Sequence, residues 1–192
     1  MNYPSEWEKA FILKDRKRVD FRPVQSGDTE MLWKMFTTLS EKTVSNLVPP
    51  FTRERIERWT SNIDYDKVLT IVAVIEEKNE QRIVGSVSLG FNEREVFRHK
   101  GELGIAVHDD YQNMGVGSAM LKHMLDIARM KKLTKVSLSV DTVNDRAVHI
   151  YEKAGFEIEG KLREEKYYKG QYSDEYRMAI FLQKQPPETT KT

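Results

Sequence analysis

One short stretch restricts the architecture of this chain more than any other: Gln112-Asn113-Met114-Gly115-Val116-Gly117. An apolar run, Gly101 to Val107, precedes it, and a run of helical character, Ser118 to Met130, follows. The local unit is therefore strand, turn, helix. Two glycines one residue apart let the backbone of the turn approach a ligand with no side chain in between. The helix that follows aims its unpaired N–H groups and the positive end of its dipole at the turn. Such a turn suits a pyrophosphate. No Lys-Ser/Thr follows Gly117, which excludes the nucleotide-hydrolysing P-loop. A plain tight turn between strand and helix uses the same glycines, so the hexad alone leaves both readings open.

A second segment adds weight: Asn144-Asp145-Arg146-Ala147-Val148-His149-Ile150-Tyr151-Glu152-Lys153-Ala154-Gly155-Phe156. It reads as a short helix capped by Asn144 or Asp145 and stopped by Gly155. Ala147, Ile150, Tyr151 and Ala154 share one face at helical spacing. In this order and separation, with Val107-His108-Asp109-Asp110-Tyr111 leading into the hexad, the two segments resemble the GNAT superfamily of N-acetyltransferases. QNMGVG is similar to the family's acyl-CoA signature, Gln/Arg-x-x-Gly-x-Gly/Ala, and NDRAVHIYEKAGF to its Asn…Ala…Tyr…Gly-Phe segment. The resemblance runs from about Val19 to Leu182. It implies a mixed, mostly antiparallel sheet of six to seven strands with helices on both faces and a splayed acyl-CoA cleft.

The rest of the chain is compatible with that fold. At 192 residues it is most simply one domain with a good-sized core. Residues 1–17 read as an N-terminal extension with a short strand at Phe11 to Leu13, 18–183 as the acetyltransferase domain, and 184–192 as a flexible tail. Val19 to Val24 reads as a strand. Ser26 or Asp28 can cap a helix with Met31, Leu32, Met35, Phe36 and Leu39 on its apolar face, and Thr52 can cap another. Lys42 to Phe51 reads as a loop. Val68 to Glu76 and Ile83 to Phe91 form a hairpin, Glu102 to Val107 and Lys135 to Val140 are strands, and Phe156 to Leu182 a closing hairpin turned at Lys169-Gly170.

Composition removes several function classes. Lys and Arg number 31 against 30 Asp and Glu, so no strong field draws the chain to nucleic acid or an anionic membrane. There is no cysteine, which rules out thiolate catalysis and thiolate metal sites. His99, His108, His123 and His149 show no ligand pairing, so no metal is expected. The N-terminus lacks the apolar core of a signal peptide, and a cytoplasmic location is expected.

The resemblance implies transfer of an acetyl group from acetyl-CoA to an amine. An alkylammonium with a pKa near ~10.4 must lose a proton first, an uphill step of about 4.6 kcal/mol at neutral pH. Main-chain N–H groups of Gln112, Asn113, Met114, Gly115, Val116, Gly117 and Ser118 are expected to hold the pyrophosphate. The edge of the splayed strand, at Ile105, Ala106 and Val107, is expected to bind the pantetheine arm. Glu102, a carboxylate inside an apolar strand, is the candidate general base, and partial burial would suit it to that work. Its other reading is a strand-end Glu facing solvent. Tyr151 is the candidate general acid, against a core tyrosine with a satisfied hydroxyl. Asn144 is a cofactor contact or a helix cap, and Asp141 a reserve carboxylate.

The order of segments in the N-terminal half looks like the catalytic domain of Pat-type protein lysine acetyltransferases, which implies a protein lysine acceptor. Ser45-Asn46-Leu47 departs from that pattern, where Arg-Phe is usual. The closing Tyr167 to Met178 hairpin instead resembles enzymes acting on protein N-termini, polyamines or small amines. A non-catalytic acyl-CoA sensor is the third reading, and a homodimer is compatible with all three.

Overall fold

The computed structural model describes residues 3–77 and 79–182. The tail expected at 184–192 lies outside the described residues. Among the described residues, eight strands form one sheet: β1 (Lys9–Ile12), β2 (Arg18–Pro23), β3 (Val68–Glu77), β4 (Glu80–Phe91), β5 (Lys100–Val107), β6 (Lys135–Asp141), β7 (Glu157–Tyr168) and β8 (Gln171–Phe181). Their spatial order is β1-β2-β3-β4-β5-β6-β8-β7. Neighbours are antiparallel throughout, except for β5 and β6, which run parallel.

Among the described residues, five α-helices complete the fold: α1 (Thr29–Thr37), α2 (Glu41–Ser45), α3 (Arg53–Ser61), α4 (Val116–Met130) and α5 (Asp145–Lys153). On one face, α4 buries Met120, Leu121, Met124 and Ile127 against Phe21, Leu69, Val87 and Leu138 of the sheet, and Tyr151 of α5 joins the same core. Each such side chain contributes roughly 1.5–3 kcal/mol of burial. On the other face, α1 and α3 place Leu32, Met35, Phe36 and Ile56 over Val72, Val74, Ile83 and Ala106. The sheet is therefore the middle of three layers.

Two expectations change here. The segment before Val19 is part of the sheet, not an appendage to it. Lys9–Ile12 pairs with Arg18 to Phe21, Phe11 stacks on Phe21 with ring centroids 6.1 Å apart, and Trp7 and Leu13 are buried. That brings the strand count to eight. Its alternation is hard to read because, as an edge strand, it buries little itself. The Lys42 to Phe51 loop also begins as helix. Ser40 caps α2, its hydroxyl accepting from Thr43 N–H at 3.2 Å. The cap Thr52 on α3 is as expected, accepting from Arg55 N–H at 3.3 Å. No helix among the described residues is long and apolar enough to cross a membrane.

Candidate active site

The parallel pair β5 and β6 is joined only at Lys100, Gly101 and Glu102, opposite Lys135, Val136 and Ser137. Beyond Glu102, β5 stays on β4 as far as Val107, while β6 stays on β8 as far as Asp141. The sheet therefore splays open between them. His108 N–H donates to Val84 C=O at 2.9 Å, which fixes the alternation along β5. Backbone groups of a strand alternate in direction, so Ala106 points to β4 while Ile105 and Val107 point into the splay. Of the three expected pantetheine contacts, Ile105 thus offers its main-chain groups to the cleft and Val107 its N–H, the Val107 carbonyl being taken by Gln112, while Ala106 spends its own on Ser86 across the β4 ladder.

The glycine turn lies past the end of β5. Gly115 has φ +93°, a conformation that disfavours any side chain, and it is the N-cap of α4. Asn113 is also left-handed, at φ +65°. The first bond of the helix runs from Ala119 N–H to Gly115 C=O at 3.0 Å, so the N–H groups of Val116, Gly117 and Ser118 have no helical acceptor. A Cβ at Gly117 would meet Val107 Cγ2 at 3.5 Å, an ordinary contact, so the protein itself does not demand glycine there. Three amides without a helical acceptor at a helix N-terminus fit a pyrophosphate.

The Gln112 side chain braces this turn. Its Nε2 donates to Val107 C=O and to Thr43 Oγ1, each at 3.1 Å, and its Oε1 accepts from Arg146 Nη1 at 2.9 Å. Three elements, β5, α2 and α5, are fastened at one amide. Asp109 reinforces the joint, accepting from Ser40 N–H at 2.8 Å, Ser40 Oγ at 2.7 Å and Thr43 Oγ1 at 2.6 Å. Burial opposes the Asp109 charge, but these donors outweigh it and hold the carboxyl below its ordinary value. Arg146 is exposed beside the turn, a cation the sequence reading passed over in the middle of a motif read for its apolar face.

Asn144 caps α5, its side chain accepting from Ala147 N–H at 3.3 Å. Two turns on, Tyr151 is 8% exposed and packs at a tilt against Phe156, with ring centroids 5.8 Å apart. Burial pushes its hydroxyl up to about 12. Every fully buried side-chain polar atom among the described residues has a hydrogen-bond partner.

The opposite face of the splay is polar. Register places Glu102, Ser137, Ser139, Asp141, Glu175 and Arg177 on one side of β5, β6 and β8. Glu102 is not partly buried as expected: its side chain is 52% exposed. Arg177 reaches from β8 across β6 to fork onto it, with Nη1 2.5 Å from Oε1 and Nη2 on Oε2. The same guanidinium touches Ser137 Oγ at 3.0 Å and Ser139 Oγ at 3.3 Å. Asp141 is buried, paired with Lys166 Nζ, and accepts from Ser173 Oγ at 2.9 Å. Lys166 Nζ also donates to Ser45 C=O of α2 at 2.6 Å and lies 4.0 Å from Glu175 Oε1.

Residues 31–156 match the Acetyltransferase (GNAT) family. The chain belongs to that family. A spermidine N(1)-acetyltransferase of Escherichia coli strain K12 is 37% identical over 83 residues, 43% of this chain and 45% of the relative, so the match spans less than half of that protein. The fold superposes on the GNAT domain of S. lividans PAT with a TM-score of 0.76 at 19% identity, covering 94% of this chain and 99% of that one. It superposes on the spermidine N-acetyltransferase of Vibrio cholerae, solved with CoA and spermine, with a TM-score of 0.71 at 25% identity, covering 85% and 95%.

Within this GNAT fold, the glycine turn and Tyr151 lie on the α4 and α5 side of the splay, and the polar patch on the α1 and α2 side. Among the described residues, no group of three or more His, Asp or Glu is arranged to hold a metal ion. His123 is buried, with Nε2 3.0 Å from Trp7 C=O, and His108 Nε2 lies 3.1 Å from Thr38 Oγ1. Both are structural contacts. Glu175, Lys166 and Arg177 are charged residues of the polar face that the sequence reading missed, because their partners lie on other strands.

Proposed function

We propose that this chain moves the acetyl group of acetyl-CoA to the primary amine at the end of an alkyl chain. Acetyl-CoA supplies an activated thioester. The free amides of Val116, Gly117 and Ser118 would hold its pyrophosphate, and the main chain of Ile105 and Val107 its pantetheine arm. Tyr151 would donate a hydrogen bond to the departing sulfur.

The observation that carries the acceptor class is Lys166. A primary ammonium already sits on the polar face, held by Asp141 and the Ser45 carbonyl with Glu175 nearby. Glu175, which has no short ion pair of its own, is the carboxylate left to receive a second alkylammonium beside it. A free amino acid would also need a cation for its carboxylate, and the cations beside the splay, Arg177 and Lys166, are engaged by Glu102 and Asp141. A protein lysine side chain is the first acceptor we propose. A polyamine is the second, favoured by the similarity to spermidine acetyltransferases.

The test is acetyl transfer from labelled acetyl-CoA to a lysine peptide with a blocked N-terminus, to spermidine, to a free amino acid and to a peptide with a free N-terminus but no lysine. Label on either of the first two supports the reading. Label confined to the last two overturns it. Binding of acetyl-CoA with no thiol released in any of the four would support the sensor reading.

A further inference from the structure

We propose that Glu175 on β8, rather than Glu102 on β5, takes the proton from the acceptor amine. The proposal rests on the acceptor approaching from the polar face, as argued above. Three carboxylates share that face, and their partners differ. Glu102 has both oxygens occupied by the fork of Arg177, so it would have to break a charge-assisted pair to receive a proton. Asp141 is held by Lys166 and the Ser173 hydroxyl. Among the described residues Glu175 has no cation closer than Lys166 at 4.0 Å, although its side chain is only 17% exposed, and the Ser139 hydroxyl that donates to it is neutral. A half-free carboxylate in a poorly solvated place is suited to accept a proton.

Its position also fits. Arg177, two residues before the closed end of the ladder, reaches from β8 over β6 to β5. Glu175 lies on the same face two residues further toward the open end, opposite Asp141, where β5 no longer covers β6. From there its carboxylate overlooks the mouth of the splay, within reach of the amine directly or through one water. Burial raises its pKa above the ordinary carboxylate value; Lys166 from β7 and the hydrogen bond from Ser139 of β6 work against this, while Asp141 from β6 and Glu165 from β7 add to it. In the step itself, the nitrogen lone pair forms the new bond to the acetyl carbon and the carbon–sulfur bond breaks. The amine proton passes to Glu175, and CoA leaves as the thiolate or, with a proton from Tyr151 or solvent, as the thiol. Glu102 and Arg177 then act as a clasp that pins the last rung before the splay opens.

The test compares pH–rate profiles of the full chain, Glu175→Gln, Glu175→Asp and Glu102→Gln with the best acceptor, alongside the acetyl-CoA dissociation constant of each. Activity should rise with pH as the base loses its proton. Glu175→Gln should lower kcat about 100-fold and lose that acidic limb, with acetyl-CoA affinity unchanged. Glu175→Asp should keep the limb at reduced rate, and Glu102→Gln should keep it too. If Glu102→Gln loses the limb while Glu175→Gln retains it, or if both retain it, the proposal is overturned. A wild type that binds acetyl-CoA but acetylates no amine overturns the enzyme reading first, and this one with it.

Discussion

Tyr151 keeps its proton across the whole range in which an acetyltransferase would work, because burial lifts its hydroxyl to about 12. It can therefore donate to a sulfur on which charge develops, but it cannot be the group whose ionisation shapes the profile near neutrality. Replacing it with Phe should lower kcat roughly 10²-fold and leave the limbs of the pH–rate profile below pH ~10 where they were. A limb that moves in the variant would show that Tyr151 titrates in the working range after all. Tyr151 was legible in the sequence because its motif is local: a cap, a helical face and a stopping glycine within 13 positions. Glu102 was legible only as an oddity, a carboxylate in an apolar strand. Its partner Arg177 lies 75 residues away on a strand two places over, and no periodicity links them. Glu175 was hidden for the same reason: the closing hairpin that carries it was legible, but not that β8 would lie against β6 and set it opposite Asp141.

At the scale of elements, the turn before α4 depends on one backbone angle. Gly115→Ala would hold a side chain at φ +93° with its Cβ 3.4 Å from Phe11 Cζ. The strain is about 1–2 kcal/mol. Calorimetry of acetyl-CoA binding should show weaker affinity, with kcat at saturation much less affected; unchanged affinity would mean the turn is not the pyrophosphate site. The α2 segment is tied to the same turn through Asp109. Because the Asp109 carboxyl is held below its ordinary value, its contribution is present above the unfolded-state pKa and lost as pH falls through the lower, folded one. Asp109→Asn should therefore cost about 1 kcal/mol of stability at neutral pH and progressively less in acid, followed by denaturant titration at several pH values. If the gap between variant and wild type stays constant with pH, the charge on Asp109 is not what fastens α2. Helix α2 itself escaped the sequence reading because at five residues it shows too little of a helical period. Strands with long apolar runs, such as Val68–Glu77, were unambiguous.

For the molecule as a whole, Glu175 sets a stability cost against its proposed use. A carboxyl whose folded pKa is raised favours the folded state at low pH and loses that advantage as pH rises through the folded value. At pH 8 its ionised form is a burden on the fold. Glu175→Gln should therefore melt at the same temperature as the wild type or higher at pH 8, and that margin should shrink below pH ~4.5. A variant that melts lower at pH 8 would mean the ionised carboxylate is a net support for the fold. Less activity without less stability is the signature of a group held for work rather than for architecture.

The splay between β5 and β6 has a consequence for how the two substrates meet. The sheet is a wall with one gap, and the glycine turn and the polar patch stand on opposite sides of it. On the proposed reading each substrate has its own doorway and neither must leave before the other arrives. Initial-rate plots should intersect, as for a ternary complex, and a single inhibitor that joins CoA to an alkylamine would have to be threaded through the wall rather than laid on either surface.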